Sequence, residues 1–132
     1  MKEVEFKVSG IDEVRALHRV IMAAKFSEPP RDDVICGSPF VAELANRVVD
    51  FLMEYDESVN PSFSESWKAW RTADPSRREW KVALSAIDLG AWRSFNEDSR
   101  KKFAELLMSP LKLSDVYLEE FLKSVDQSMD SG

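Results

Sequence analysis

The stretch Ser38–Tyr55, SPFVAELANRVVDFLMEY, decides how this chain folds. Ser38 is a good helix N-cap, because its hydroxyl accepts from a free amide of the first turn. Pro39 suits the first helical position, where no amide bond is lost. Val41, Leu44, Val48, Phe51, Leu52 and Tyr55 recur at steps of three and four, which predicts a helix with one apolar side. Glu43, Asp50, Glu54 and Glu57 fall on the opposite side, with Arg47 the only base among them. The segment therefore reads as the central core helix, with an acidic outer face available for function.

Working outward, Val4, Phe6 and Val8 alternate with Glu3, Glu5 and Lys7, a period of two that predicts a half-buried strand ended by Ser9-Gly10. A lone strand needs a partner for its amides. Val34-Ile35-Cys36, residues 80–86 and a second copy of the chain are the three candidates. Asp12 opens a helix to Lys25 with Val14, Leu17, Ile21 and Ala24 as its apolar stripe. The connection Phe26–Gly37, FSEPPRDDVICG, is long, and Pro29-Pro30 biases it toward an extended form.

Downstream of the acidic turn Asp56–Pro61, Ser62/Glu65, Ser76/Glu79 and Ser94/Glu97 each have capping-box spacing. They predict helices from Ser62 to about Ala73, from Ser76 to Leu89 with Gly90 just past its end, and from Ser94 to Met108. For residues 80–86 a strand competes with the helix, which Ala, Leu and the capping signal favour. Ser114 caps a last helix with Phe121, Leu122 and Val125 on its buried side. The expected fold is mainly α with a minor β component. It has an N-terminal strand and then five or six helices packed in one domain, residues 1–126, with residues 127–132 as a flexible tail.

A chain of 132 residues corresponds to a single domain that buries roughly two-thirds of its unfolded surface without metal or disulfide. The formal charge is −6, distributed as −5 over residues 1–60, +3 over 61–102 and −4 over 103–132. Net acidity argues against a general nucleic-acid binder and is compatible with steering toward a basic protein. Cys36 is the only cysteine, so no internal disulfide forms and a reducing compartment is expected. No apolar run is long enough for a signal peptide or a membrane span, and a cytoplasmic location is expected.

Chemical equipment is sparse in the sequence. One His and one Cys fall short of a structural zinc set, and no DxDxDG loop is present, so no metal and no cofactor are expected. His18 and Cys36 read as a helix-boundary histidine and a buried small hydrophobe, although a thiol–imidazole pair is their functional alternative. Adjacent carboxylates such as Asp32-Asp33 point about 100° apart on a helix and do not converge on one substrate. No catalytic residue is assigned. Trp67, Trp70, Trp80 and Trp92 cluster within 26 positions, each followed by a base, as in Trp70-Arg71. They read as core rings, or as an aromatic interface formed by Trp67, Trp70, Arg71 and Trp80.

The expected function is that of a non-enzymatic, acidic protein-binding module. It would dock on a basic partner through Glu43, Asp50, Glu54 and Glu57, with Asp32 and Asp33 of the proline loop, and could act as an inhibitor. Small acidic helical domains of this kind resemble bacterial immunity proteins or antitoxins in type, with no residue motif behind the likeness. Two alternatives stay open. One is a ligand-binding domain or enzyme with a Trp-lined pocket. The other is an assembly protein acting as a homodimer.

Overall fold

Short polar side chains set most of the helix starts. The structure, a computed structural model, describes residues 4–29 and 31–130. Among these it places eight helices: α1 Ile11–Lys25, α2 Asp33–Cys36, α3 Pro39–Val59, α4 Phe63–Arg71, α5 Arg78–Ser85, α6 Leu89–Ser94, α7 Glu97–Met108 and α8 Asp115–Asp130. Gly10 precedes α1 at φ 84°, a left-handed backbone that glycine adopts without strain. Ser38 Oγ accepts from the Val41 amide at 3.2 Å and Ser114 Oγ from the Tyr117 amide at 3.1 Å, both as the sequence predicts.

The three expected capping boxes do not form. Asn60 Oδ1 accepts from the Ser62 amide at 3.0 Å, and Asp74 Oδ1 from the Ser76 amide at 2.9 Å. Ser94 ends α6, its hydroxyl donating to the Ala91 carbonyl at 2.6 Å, and Asn96 caps α7 through the Ser99 amide at 2.8 Å. In each case a neighbouring Asn or Asp, whose oxygen reaches an amide two or three residues on, outcompetes the serine. The helix expected from Ser76 to Leu89 is two helices. Asp88 opens α6 by accepting from the Gly90 and Ala91 amides, so Gly90 lies in a first turn rather than past an end.

The N-terminal strand is not present among the described residues. Residues 4–9 adopt no regular structure, and Val4 and Phe6 are 93% and 91% exposed. Glu3 lies outside the described residues. Both candidate partners within the chain are helical: Val34–Cys36 belongs to α2 and residues 80–85 to α5, so no ladder exists for a strand to join. The one β-type pairing among the described residues is a single bridge between Thr72 and Lys112. Of the expected tail, residues 127–130 continue α8, with Met129 packed against the core, and residues 131–132 lie outside the described residues.

Two apolar cores result. The larger joins α5, α6, α7 and α8 around Trp80, Trp92, Met108, Phe121 and Val125, with Phe26 and Cys36 at its edge. The smaller lies between α1 and α3 and contains Val14, Ile21, Ala45, Val48 and Leu52. Helix α3 is thus central to the smaller core, not to the larger one. Its buried face is also rotated from the expected stripe: Ala42, Ala45, Val48, Val49 and Leu52 face inward, while Leu44, Phe51 and Tyr55 are exposed. The two small alanines lie on the inner face and the larger Leu44, Phe51 and Tyr55 on the outer one.

Two buried cations tie the halves together. Lys25 ends α1 at 2% exposure, and its Nζ donates to the carbonyls of Leu106 at 2.6 Å, Leu107 at 3.2 Å and Ser109. These are orphan carbonyls at the end of α7, where a cation also meets the negative end of the helix dipole. Arg71 ends α4. Its Nε donates to the Pro110 carbonyl at 2.9 Å, its Nη1 to Asp50 Oδ1 at 2.6 Å and its Nη2 to Asn46 Oδ1 at 3.3 Å. The adjoining backbone is fixed to the same turn, with the Lys112 amide donating to the Arg71 carbonyl at 2.7 Å.

Candidate functional site

The outer face of α3 is the most distinctive surface of the molecule. At about 100° per residue, Glu43, Arg47 and Glu54 fall opposite the buried Ala45–Val49–Leu52 side, and all three are exposed. Beside them run Phe40, Leu44, Phe51 and Tyr55, a row of large apolar side chains at helical spacing, with Phe40 at 81% exposure. Together they form a mixed ridge, apolar along one flank and anionic along the other. Phe6 and Val8 of the N-terminal segment, with Val14 and Leu17 of α1, border the apolar flank and enclose an open groove of about 410 Å³ against Leu44, Arg47 and Phe51.

The other acidic residues singled out from sequence are placed differently. Asp50 is exposed but holds the buried Arg71, so its charge already has a partner. Glu57 is half-buried at the other flank of α3. Asp32 caps α2 by accepting from the Val34 amide at 2.9 Å, and Asp33 lies in the first turn of that helix. Glu43 and Glu54 therefore form the freest part of the predicted anionic set. Asp56 faces inward, where Arg15 at 2.5 Å and Trp67 Nε1 at 2.9 Å hold its carboxyl below the usual range.

The four tryptophans separate into two groups. Trp80 is buried against Phe121 at 5.2 Å between ring centres, and Trp92 is 1% exposed beneath Arg100, whose guanidinium lies 5.5 Å from its ring. Trp67 and Trp70 are only half-buried and meet His18 in a trio of edge-to-face rings. Arg71, grouped with them from sequence, is interior. The segment's other bases are largely neutralised locally: Lys68 by Glu65, Arg77 by Glu79, Arg78 by Glu28, Arg100 by Asp126 and Lys101 by Glu97. Lys81, Arg93 and Lys102 of this segment are exposed and enter none of these pairs.

His18 and Cys36 do not form a pair. His18 borders a hollow against α4, whereas Cys36 lines a separate cavity with Asp33, Asp88 and Trp92. The Cys36 thiol donates to the Lys25 carbonyl at 3.4 Å, and burial pushes its pKa up, which keeps it a thiol. Burial, helped by Arg15, pushes His18 down and favours the neutral ring. Among the described residues no group of three or more His, Cys, Asp or Glu is arranged to hold a metal ion, and no helix is long and apolar enough to cross a membrane.

No protein-family model, no curated protein and no solved structure matches this chain. The exposed apolar row on α3 was missed from sequence, because spacing of three and four marks a helix face without saying which side faces in. Only the alanines at 42 and 45, one position off the large residues, could have signalled the rotation.

Proposed function

We propose that the protein is a non-catalytic binding module that grips a basic protein partner with the outer face of α3. The reading is carried by one observation: Phe40 at 81% exposure and Leu44, Phe51 and Tyr55 at 40–49% run beside Glu43 and Glu54. Interfaces draw affinity from desolvated aromatic anchors and orientation from charge at the rim. An apolar row with carboxylates along one edge supports both. The net charge of −6 selects a cationic partner by attracting it and repelling acidic proteins. Inhibition, as by an immunity protein or antitoxin, would follow if the partner's working surface is the basic patch covered.

In this reading Glu43 and Glu54 steer and orient, and Phe40 and Phe51 supply most of the affinity. Asp50 contributes mainly to the fold through Arg71, and Asp32 and Asp33 remain secondary contacts. The test is affinity capture from the native host with three baits: wild type, Glu43→Lys/Glu54→Lys and Phe40→Ser/Phe51→Ser. The expected result is a basic protein retained by the wild type and lost from both variants, with all three baits equally folded. An acidic partner, or a partner retained by both variants, would refute the reading.

A further inference from the structure

The alternation Val4-Glu5-Phe6-Lys7-Val8 is a motif that neither the fold nor the docking role uses. Val8 packs on the smaller core, whereas Val4 and Phe6 are 93% and 91% exposed. Among the described residues no backbone hydrogen bond joins residues 4–8 to the rest of the chain. Nor do Glu5 and Lys7 enter any ion pair among those residues. The segment thus keeps strand-type side chains and an unpaired backbone, the combination that pairs with another chain.

The order of the side chains selects which chain. It reads the same in both directions about Phe6, except that acid and base change places. When two copies lie antiparallel with Phe6 opposite Phe6, Val4 falls opposite Val8 and Glu5 opposite Lys7. Every cross-strand pair is then apolar with apolar or acid with base. Other arrangements lose this match. Parallel pairing in register sets Glu5 against Glu5 and Lys7 against Lys7. A shift by one residue sets apolar side chains against charged ones, and a shift by two again opposes like charges. The segment carries no net charge of its own, and salt at about 0.15 M screens the repulsion between two chains of −6 beyond roughly 8 Å.

A two-stranded ribbon is marginal by itself and needs an apolar surface beneath it. Here the groove supplies one. Phe6 and Val8 border it with Val14 and Leu17 of α1 and Leu44 and Phe51 of α3, around about 410 Å³. In a strand, residues 4, 6 and 8 share one face and residues 5 and 7 the other. The apolar face of each segment turns toward its own groove, its edge pairs with that of the second copy, and the charged side chains stay in water. We propose that two copies of this chain associate through an antiparallel pair of residues 4–8 centred on Phe6, forming the ladder that one chain lacks. The inference does not rest on the docking reading, since Phe40, Glu43 and Glu54 take no part in the pair.

Five residues from each copy make a small contact, so the association is weak and is expected at about 100 µM and above. Sedimentation equilibrium of the full chain up to about 1 mM, in about 0.15 M salt, reads it. Wild type is expected to rise with concentration toward twice the monomer mass. Lys7→Glu sets acid opposite acid and Glu5→Lys sets base opposite base, so each variant alone is expected to associate at least about tenfold more weakly. Mixed in equal amounts, the two variants regain complementary pairs and are expected to associate again as the wild type does. Both positions are exposed, and unchanged tryptophan fluorescence reports that the variants are folded. A monomer at every concentration, an association that ignores both substitutions, or a mixture that stays monomeric would overturn the proposal.

Discussion

Lys25 is a cation sealed at the junction of the two cores, and its energetics follow from that position. Burial lowers its pKa from 10.5 to about 7, while three carbonyls at the end of α7 hold the ammonium form. Between those two values the unfolded chain binds the extra proton, so stability rises with pH from about 7 to about 10 and is lowest below about 7. Urea unfolding across that range checks it, and Lys25→Met should flatten the rise. His18 is shifted down by burial and by Arg15, so stability also falls as pH drops below 6.5, and His18→Phe should remove that part of the acid slope. Arg71→Ala leaves the Pro110 carbonyl and Asn46 Oδ1 without the Arg71 donor and should cost about 3 kcal/mol by the same assay. Neither role was legible in the sequence. Lys25 read as a helix end and Arg71 as a base beside a tryptophan, because partners more than 20 positions away cannot be seen from local spacing.

At the scale of elements, periodicity located the helices more reliably than it oriented them. α1, α3, α7 and α8 were legible because long amphipathic runs with terminal breakers have few alternatives. Helix α3 was found but turned, since spacing marks a face without saying which side packs inward, and Ala42 and Ala45 lie there. The strand at Val4–Val8 failed for a related reason: alternation needs a ladder, and the chain provides none among its described residues. This assignment of faces is directly measurable. Phe121→Ala empties a fully buried site in the larger core and should cost about 3–5 kcal/mol. Phe51→Ala and Phe6→Ala, both on exposed rings, should each change stability by less than about 1 kcal/mol. A large loss at Phe51 would mean that the ridge on α3 is covered by the chain itself.

For the whole molecule, the proposed docking role rests on how the surplus of negative charge is displayed. Most bases of residues 61–102 pair with nearby carboxylates, and the exposed pairs among them, such as Lys68–Glu65 and Arg78–Glu28, contribute only about 0–1 kcal/mol each. What remains outward on α3 is Glu43 and Glu54, with Arg47 between them, beside the apolar row. The acidic half of this ridge was legible from composition and helix period; the apolar half was not, because it was assigned to the core. The most direct measurement is the association rate with the captured partner as salt is raised from about 50 to 500 mM, a range over which screening shortens the reach of charge severalfold. The account predicts a fall of at least about tenfold, much reduced in Glu43→Gln/Glu54→Gln, which removes the two charges without reversing them. A rate that ignores salt, or that falls equally in that variant, would contradict it.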